Sequence, residues 1–223
     1  MKNCAIILTA LFFACKSASY HYRTPTINAT PLSRGGEGLL GVQAGSAGLA
    51  AKGAYAFTKN INVNGWASFF PEGDDSYNSR EVEFSLGLQT NQRNRRITAL
   101  YLGWGNGDNE LDKIDLAGSY NRPFIQLQRS RFMGTLYRER GFFDGYYGVR
   151  VNYLMYNGKL GANEFDDDYF YYEPYAGAAF GTNRIRLEFV SGFSIKGNKW
   201  KEGVRLYPFW ANIGLAMSFG KKY

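Results

Sequence analysis

Charged side chains recur at alternate positions in otherwise apolar stretches of this chain. Lys52, Glu81, Glu83, Arg150, Glu173, Arg184, Arg186 and Glu188 each fall on the polar phase of a segment with period two. Alternate residues of a strand point to opposite faces, so these eight residues are expected to share the inner side of a sheet that closes on itself. Carboxylates and cations held together away from water must pair, because an unpaired buried ion costs several kcal/mol. Paired carboxylates are also the raw material of acid–base chemistry, but histidine is the usual general base near neutral pH. The only histidine, His21, lies near the N-terminus and outside the alternating segments, so no enzyme activity is expected. The acidic runs 106–115 (NGDNELDKID) and 163–168 (NEFDDD) supply oxygen ligands of the kind Ca²⁺ takes. Their order does not follow the EF-hand loop, and they read as solvated charge rather than a metal site. No cofactor is expected. The run 196–205 (KGNKWKEGVR), with Trp200 inside it, is basic and suited to phosphate-bearing partners.

The elements that must position these groups are strands. The chain has 223 residues, among them 17 Tyr, 17 Phe and 27 Gly but only 6 Pro. That composition suits one β-rich domain with tight turns and barrel bends. Ten segments alternate: 38–45, 49–57, 61–70, 80–89, 96–105, 123–130, 145–156, 170–180, 184–195 and 208–219. In the last of these, Phe209, Ala211, Ile213, Leu215, Met217 and Phe219 form one apolar face. Trp210, Asn212, Gly214, Ala216 and Ser218 form the other. The phase of 96–105 is ambiguous. No segment after Gly36 sustains a helical period.

Connection lengths set a second pattern. The links 58–60, 90–95 and 181–183 are short, whereas 71–79, 106–122, 157–169 and 196–207 are long. Transmembrane barrels alternate in this way, with short turns on the inner side and long loops outside. Two links break the pattern: 44–48 is tight where a long loop belongs, and 131–144 is long where a tight turn belongs. The mean hydropathy of −0.35 excludes a helical membrane protein but not a barrel, in which only alternate residues face lipid. The prediction is an all-β, closed, antiparallel, up-and-down transmembrane β-barrel of about ten strands, with eight as the alternative. Tyr101, Trp104, Tyr169, Trp200 and Tyr207, near segment ends, are expected to form interfacial girdles.

The N-terminal residues read as a targeting segment. Lys2 precedes the apolar run 5–14, which is too short to span a bilayer but fits a signal peptide. Phe12-Phe13-Ala14-Cys15 resembles the processing box of bacterial lipoproteins, which implies lipidation of Cys15. Residues 1–14 are thus expected to be a signal peptide, 15–36 a polar tether and 37–223 the barrel. Ordinary signal cleavage after Ala18 or Ser19 is the alternative; with Cys4 in the leader and Cys15 either lipidated or removed, no disulfide pair remains.

Net charge is +7 with a pI near 9.3. An exported basic chain is expected to meet membrane lipids and lipopolysaccharide phosphates rather than nucleic acid. The spacing of Asn212, Gly214, Met217 and Phe219 resembles the C-terminal assembly signal of bacterial outer-membrane barrels. Taken whole, the leader, the cysteine, the tether and the aromatic-ended last strand resemble small outer-membrane β-barrel proteins of Gram-negative bacteria. The resemblance implies location in the cell outer membrane and engagement of the barrel-assembly machinery. It implies a structural or surface-interaction role around a charge-filled, non-conducting interior. A small pore or transporter is one alternative, and a lipid-anchored soluble barrel carrier is another. The carrier requires large apolar residues on the inward face.

Overall fold

A computed structural model of the chain describes residues 27, 32, 34–46, 48–70, 77–92, 96–112, 115–136, 141–182, 184–198, 206 and 208–220; the side chains of 91–92, 132–136 and 142 are excepted. The alternating segments form strands. They are β1 (Gly38–Gly45), β2 (Gly48–Ala56), β3 (Ile61–Phe70), β4 (Tyr77–Gln92), β5 (Arg96–Leu111), β6 (Leu116–Leu136), β7 (Gly141–Leu160), β8 (Asn163–Thr182), β9 (Ile185–Phe193), the two-residue β10 (Ile195–Lys196) and β11 (Phe209–Phe219). Each long strand pairs antiparallel with its sequence neighbour. β11 sits between β9 and β1, and β8 pairs with β9, which closes the ring. The wall is therefore a ten-strand barrel, with β10 as a short extra ladder on β8. Closure leaves no edge strand, as a wall immersed in lipid requires.

The two faces of the wall differ along every strand. On β4, Phe84 is 65% exposed and its neighbour Glu83 only 3%. Val82, Leu86 and Leu88 share the outer face of β4 with Phe84, and Leu40, Ile125, Phe189 and Leu215 stand outward on other strands. The phase of β5 is now clear: Leu100, Leu102 and Trp104 point out, while Ile97, Ala99 and Tyr101 point in. Apolar-out, polar-in is the arrangement of a transmembrane barrel and the inverse of a soluble one. On β8 the outward residues run Phe170, Tyr172, Pro174, Ala176, Ala178 and Phe180, and Asp168 begins a polar stretch. At about 3.3 Å per residue and a tilt near 40°, the span from Phe170 to Phe180 covers about 25 Å along the barrel axis, the height of an outer-membrane apolar band.

Three expected loops are strand instead. Residues 106–122 form the far ends of β5 and β6, paired from Asn106↔Asn121 to Leu111↔Leu116. Residues 157–169 are likewise paired between β7 and β8 up to Leu160↔Asn163. These hairpins carry the wall past the apolar band, and their outward residues turn polar at Asn106, Asn121, Asn157 and Asp168. The polar composition that suggested loops is the composition of strands that stand in water. The 131–144 link, expected to be long, is also mostly strand. β6 and β7 pair through it with one register shift at Phe132/Gly134 and leave only 137–140 between them. The inner side of the barrel thus keeps short connections. Two of these share one device: Thr58 Oγ1 accepts from the Asn60 and Ile61 amides, and Thr182 Oγ1 accepts from those of Arg184 and Ile185. Such hydroxyl-to-backbone bonds fix a tight turn.

Candidate functional site

The charges predicted to face inward meet in the lumen. Arg122 and Arg150 are fully desolvated and lie against Glu81 and Glu83. Arg122 Nη2 donates to Glu81 Oε1 at 2.5 Å and to Glu83 Oε2 at 2.5 Å. Arg150 grips Glu83 through two nitrogens, Nη1 to Oε2 at 2.9 Å and Nη2 to Oε1 at 3.1 Å. Fork geometry of this kind is what makes arginine suited to a buried carboxylate. The cluster extends through neutral groups. Arg122 Nη1 donates to Asn152 Oδ1 at 2.7 Å, and Asn152 Nδ2 passes to Glu173 Oε2 at 2.8 Å. Gln126 Oε1 accepts from Arg150, and the chain continues through Gln128 to Ser130. Tyr120 donates to Glu81 Oε2 at 2.8 Å. The Arg150 guanidinium also stands 4.2 Å from the centre of the Phe124 ring, a cation–π contact.

Two further pairs close other chords of the lumen. Lys52 on β2 bonds Glu188 on β9. Arg186 on β9 donates to Glu37, just before β1, at 2.8 Å. The lumen thus sets Lys52, Arg122, Arg150 and Arg186 against Glu81, Glu83, Glu173 and Glu188. Of the eight charges read from the sequence, seven are buried inside. Arg184 is not: it is exposed at the turn before β9, where its backbone amide is held by Thr182. Arg122 is the central cation that the sequence reading missed. Pro123 made the segment appear to start one residue later, yet Arg122 is in phase with Gln126 and Gln128.

Room for these groups comes from the adjoining strand. Gly103, Gly105 and Gly107 on β5 lie opposite Phe124, Arg122 and Tyr120 on β6. A Cβ on Gly103 would stand 2.2 Å from the Phe124 ring, and one on Gly105 would stand 2.7 Å from Glu81 Oε1. Large inward side chains lie flat over glycines, and this pairing blurred the phase of β5 in the sequence.

The outer half of the lumen is aromatic. Tyr120, Tyr156, Tyr169 and Tyr171 pack with Leu154 and with Leu206 from the last connection. Tyr77, Leu111 and Leu116 form a neighbouring cluster. Tyr101 and Tyr169, expected in an interfacial girdle, are buried in the lumen instead, because each falls on the inward phase of its strand. Trp104 does stand outward; Trp200 and Tyr207 lie outside the described residues. So do Cys15, His21 and most of the basic run 196–205. The acidic run on β8 alternates along a strand, with Glu164, Asp166 and Asp168 exposed on the outer face. Among the described residues no group of three or more His, Cys, Asp or Glu is placed to hold a metal ion. Of the four residues whose spacing resembles an assembly signal, Asn212 and Gly214 face the lumen, while Met217 and Phe219 face outward. Phe219 pairs with Gly38 at the seam between the first and last strands.

Chemically, the lumen is a set of ion pairs linked by amides and tyrosine hydroxyls. Glu81 and Glu83 are held by arginine donors, whereas Glu173 Oε1 has no hydrogen-bond partner among the described residues. The inward face is polar at mid-height, which removes the large apolar lining that a soluble carrier needs.

No family model matches the chain, and no curated protein matches it. Solved structures do. A bacterial polysaccharide outer membrane secretin is 11% identical, with a TM-score of 0.43; the match covers 82% of this chain and 58% of that one. The translocator domain of the autotransporter NalP from Neisseria meningitidis is 11% identical, with a TM-score of 0.44 over 84% of this chain and 87% of that one. The KdgM porin is 8% identical, with a TM-score of 0.33 over 82% of this chain and 99% of that one. Independently of these likenesses, a closed wall that is apolar outside and polar inside is the architecture of an outer-membrane-type β-barrel.

Proposed function

We propose that this protein is a bacterial outer-membrane β-barrel with a structural or surface-interaction role and a lumen that does not conduct ions. The observation that carries the reading is the Glu81–Arg122–Glu83–Arg150 cluster, whose side chains reach between β4, β6 and β7. A barrel of this strand number has an interior that side chains can fill. Cations and carboxylates balance along it, so the lumen lacks the single-sign lining by which a pore selects ions. Outside, the apolar wall meets acyl chains, and exposed cations meet headgroup and lipopolysaccharide phosphates. The seam residue Phe219, together with Asn212, Gly214 and Met217, serves the assembly machinery as its recognition signal. Cys15 carries lipid.

Planar-bilayer recording tests the proposal. The purified protein is expected to give no stable openings. Replacing Arg122 and Arg150 together by Ser is expected to produce them. Steady openings from the unaltered chain would sustain the pore reading instead.

A further inference from the structure

The lumen is filled unevenly. The sector formed by β4 to β8 carries the large inward residues: Glu, Arg, Gln, Tyr and Phe. On β1, β2 and β11 the small inward residues Gly41, Ala50, Ala54, Ala56, Gly214 and Ala216 alternate with Leu39, Gln43, Lys52, Trp210 and Asn212. Small inward residues on adjoining strands leave a furrow along the wall, and a close-packed protein does not leave such a space empty. Two residues from before the barrel lie in the interior. Leu32 is 1% exposed and packs with Leu39, Ala54, Ala56 and Ala216. Ile27 is 1% exposed and packs with Tyr146, Tyr175, Val190 and Trp210. The backbone is held as well. Gln89, buried on the inward face of β4, donates one amide proton to the Leu32 carbonyl at 2.6 Å and the other to the Lys59 carbonyl at 3.0 Å. Its Oε1 accepts from Asn62 Nδ2 at 2.9 Å, so the amide is fixed in one orientation.

Leu32 sits near the inner end of the barrel, where Ala56 and Ala216 lie close to the termini of their strands. Ile27 sits higher, beside Trp210 at the other end of β11. The two residues are therefore anchored at different heights.

We propose that Ile27 and Leu32 plug the lumen as two aliphatic pegs, with Gln89 as the latch on Leu32. Leu32 fills the space beside Ala54, Ala56 and Ala216, and Ile27 fills that among Tyr146, Tyr175, Val190 and Trp210. This plug deepens the reading of a filled lumen and rests on it, but it makes its own demand: Ala54 must be covered by Leu32.

The test uses the full chain with Cys4→Ser and Cys15→Ser, folded in detergent, and reads thiol chemistry rather than conductance. Ala54→Cys is expected to resist a hydrophilic maleimide in this background and to react many-fold faster when Ile27→Asp and Leu32→Asp are added. Equal labelling in both would overturn the plug. A second pair guards against a variant that misfolds. Ile27→Cys with Val190→Cys is expected to form an intramolecular disulfide, whereas Ile27→Cys with Phe189→Cys, whose side chain points out of the wall, is not. Cross-linking no better at 190 than at 189 would also overturn it. A conducting channel that still protects Ala54→Cys would defeat the closed-lumen reading and leave the plug standing.

Discussion

Arg122 is the residue on which the interior turns, since it bonds both Glu81 and Glu83 and also Asn152. Arg122→Met would leave Glu81 without its cation while Glu83 keeps Arg150, and removing one partner of a buried pair costs about 3–5 kcal/mol. The loss is expected as a lower midpoint in denaturant for the detergent-folded protein. Adding Glu81→Gln to Arg122→Met is expected to restore part of it, because the carboxylate left without a cation goes too, while Glu83 still pairs Arg150. If the double variant is less stable than Arg122→Met alone, the ion pairs do not carry the cost. The glycines of β5 give a steric counterpart. Gly103→Val would drive a side chain into the Phe124 ring, and overpacking of this kind costs about 1–3 kcal/mol. Ala67→Val, on the exposed outer face of β3, is the control and is expected to be near neutral. Most of these residues could be read from the sequence by phase alone. Arg122 could not, because Pro123 looked like a strand boundary. Tyr101 and Tyr169 were misplaced because an aromatic at a segment end suits a girdle and a lumen equally well.

At the scale of the strand, what matters is which face meets lipid. Leu86 and Leu127 stand outward in the middle of the apolar band. Leu127→Arg is expected to destabilise folding into lipid vesicles by about 2–4 kcal/mol, whereas Asp166→Arg, on the polar extension of β8, is expected to be neutral. Equal costs at the two sites would mean that the band ends elsewhere. The strands were legible wherever one face was uniformly apolar, as on β4 and β11. Their lengths were not. Beyond the band both faces of β5 to β8 become polar or aromatic, so periodicity no longer distinguishes a paired strand from a loop. Only the register shows that Asn157 still lies opposite Asp166.

The whole molecule is a closed wall with a filled centre. Its inner end is occupied by Leu32, its middle by arginine–carboxylate pairs and its outer end by tyrosines under Leu206. Closure was foreseeable from ten alternating segments, and the apolar outer face from their composition. The occupation of the inner end was not, because Ile27 and Leu32 are isolated apolar residues in a polar stretch with no period to betray them. Quenching of tryptophan by lipids brominated on their acyl chains tests the orientation of the wall most directly. In single-tryptophan variants folded into such vesicles, a tryptophan placed at Leu86 is expected to be strongly quenched, while Trp210, buried in the lumen, is not. Strong quenching of Trp210 with none at position 86 would mean that the apolar face packs inside a soluble molecule, and the account would fail.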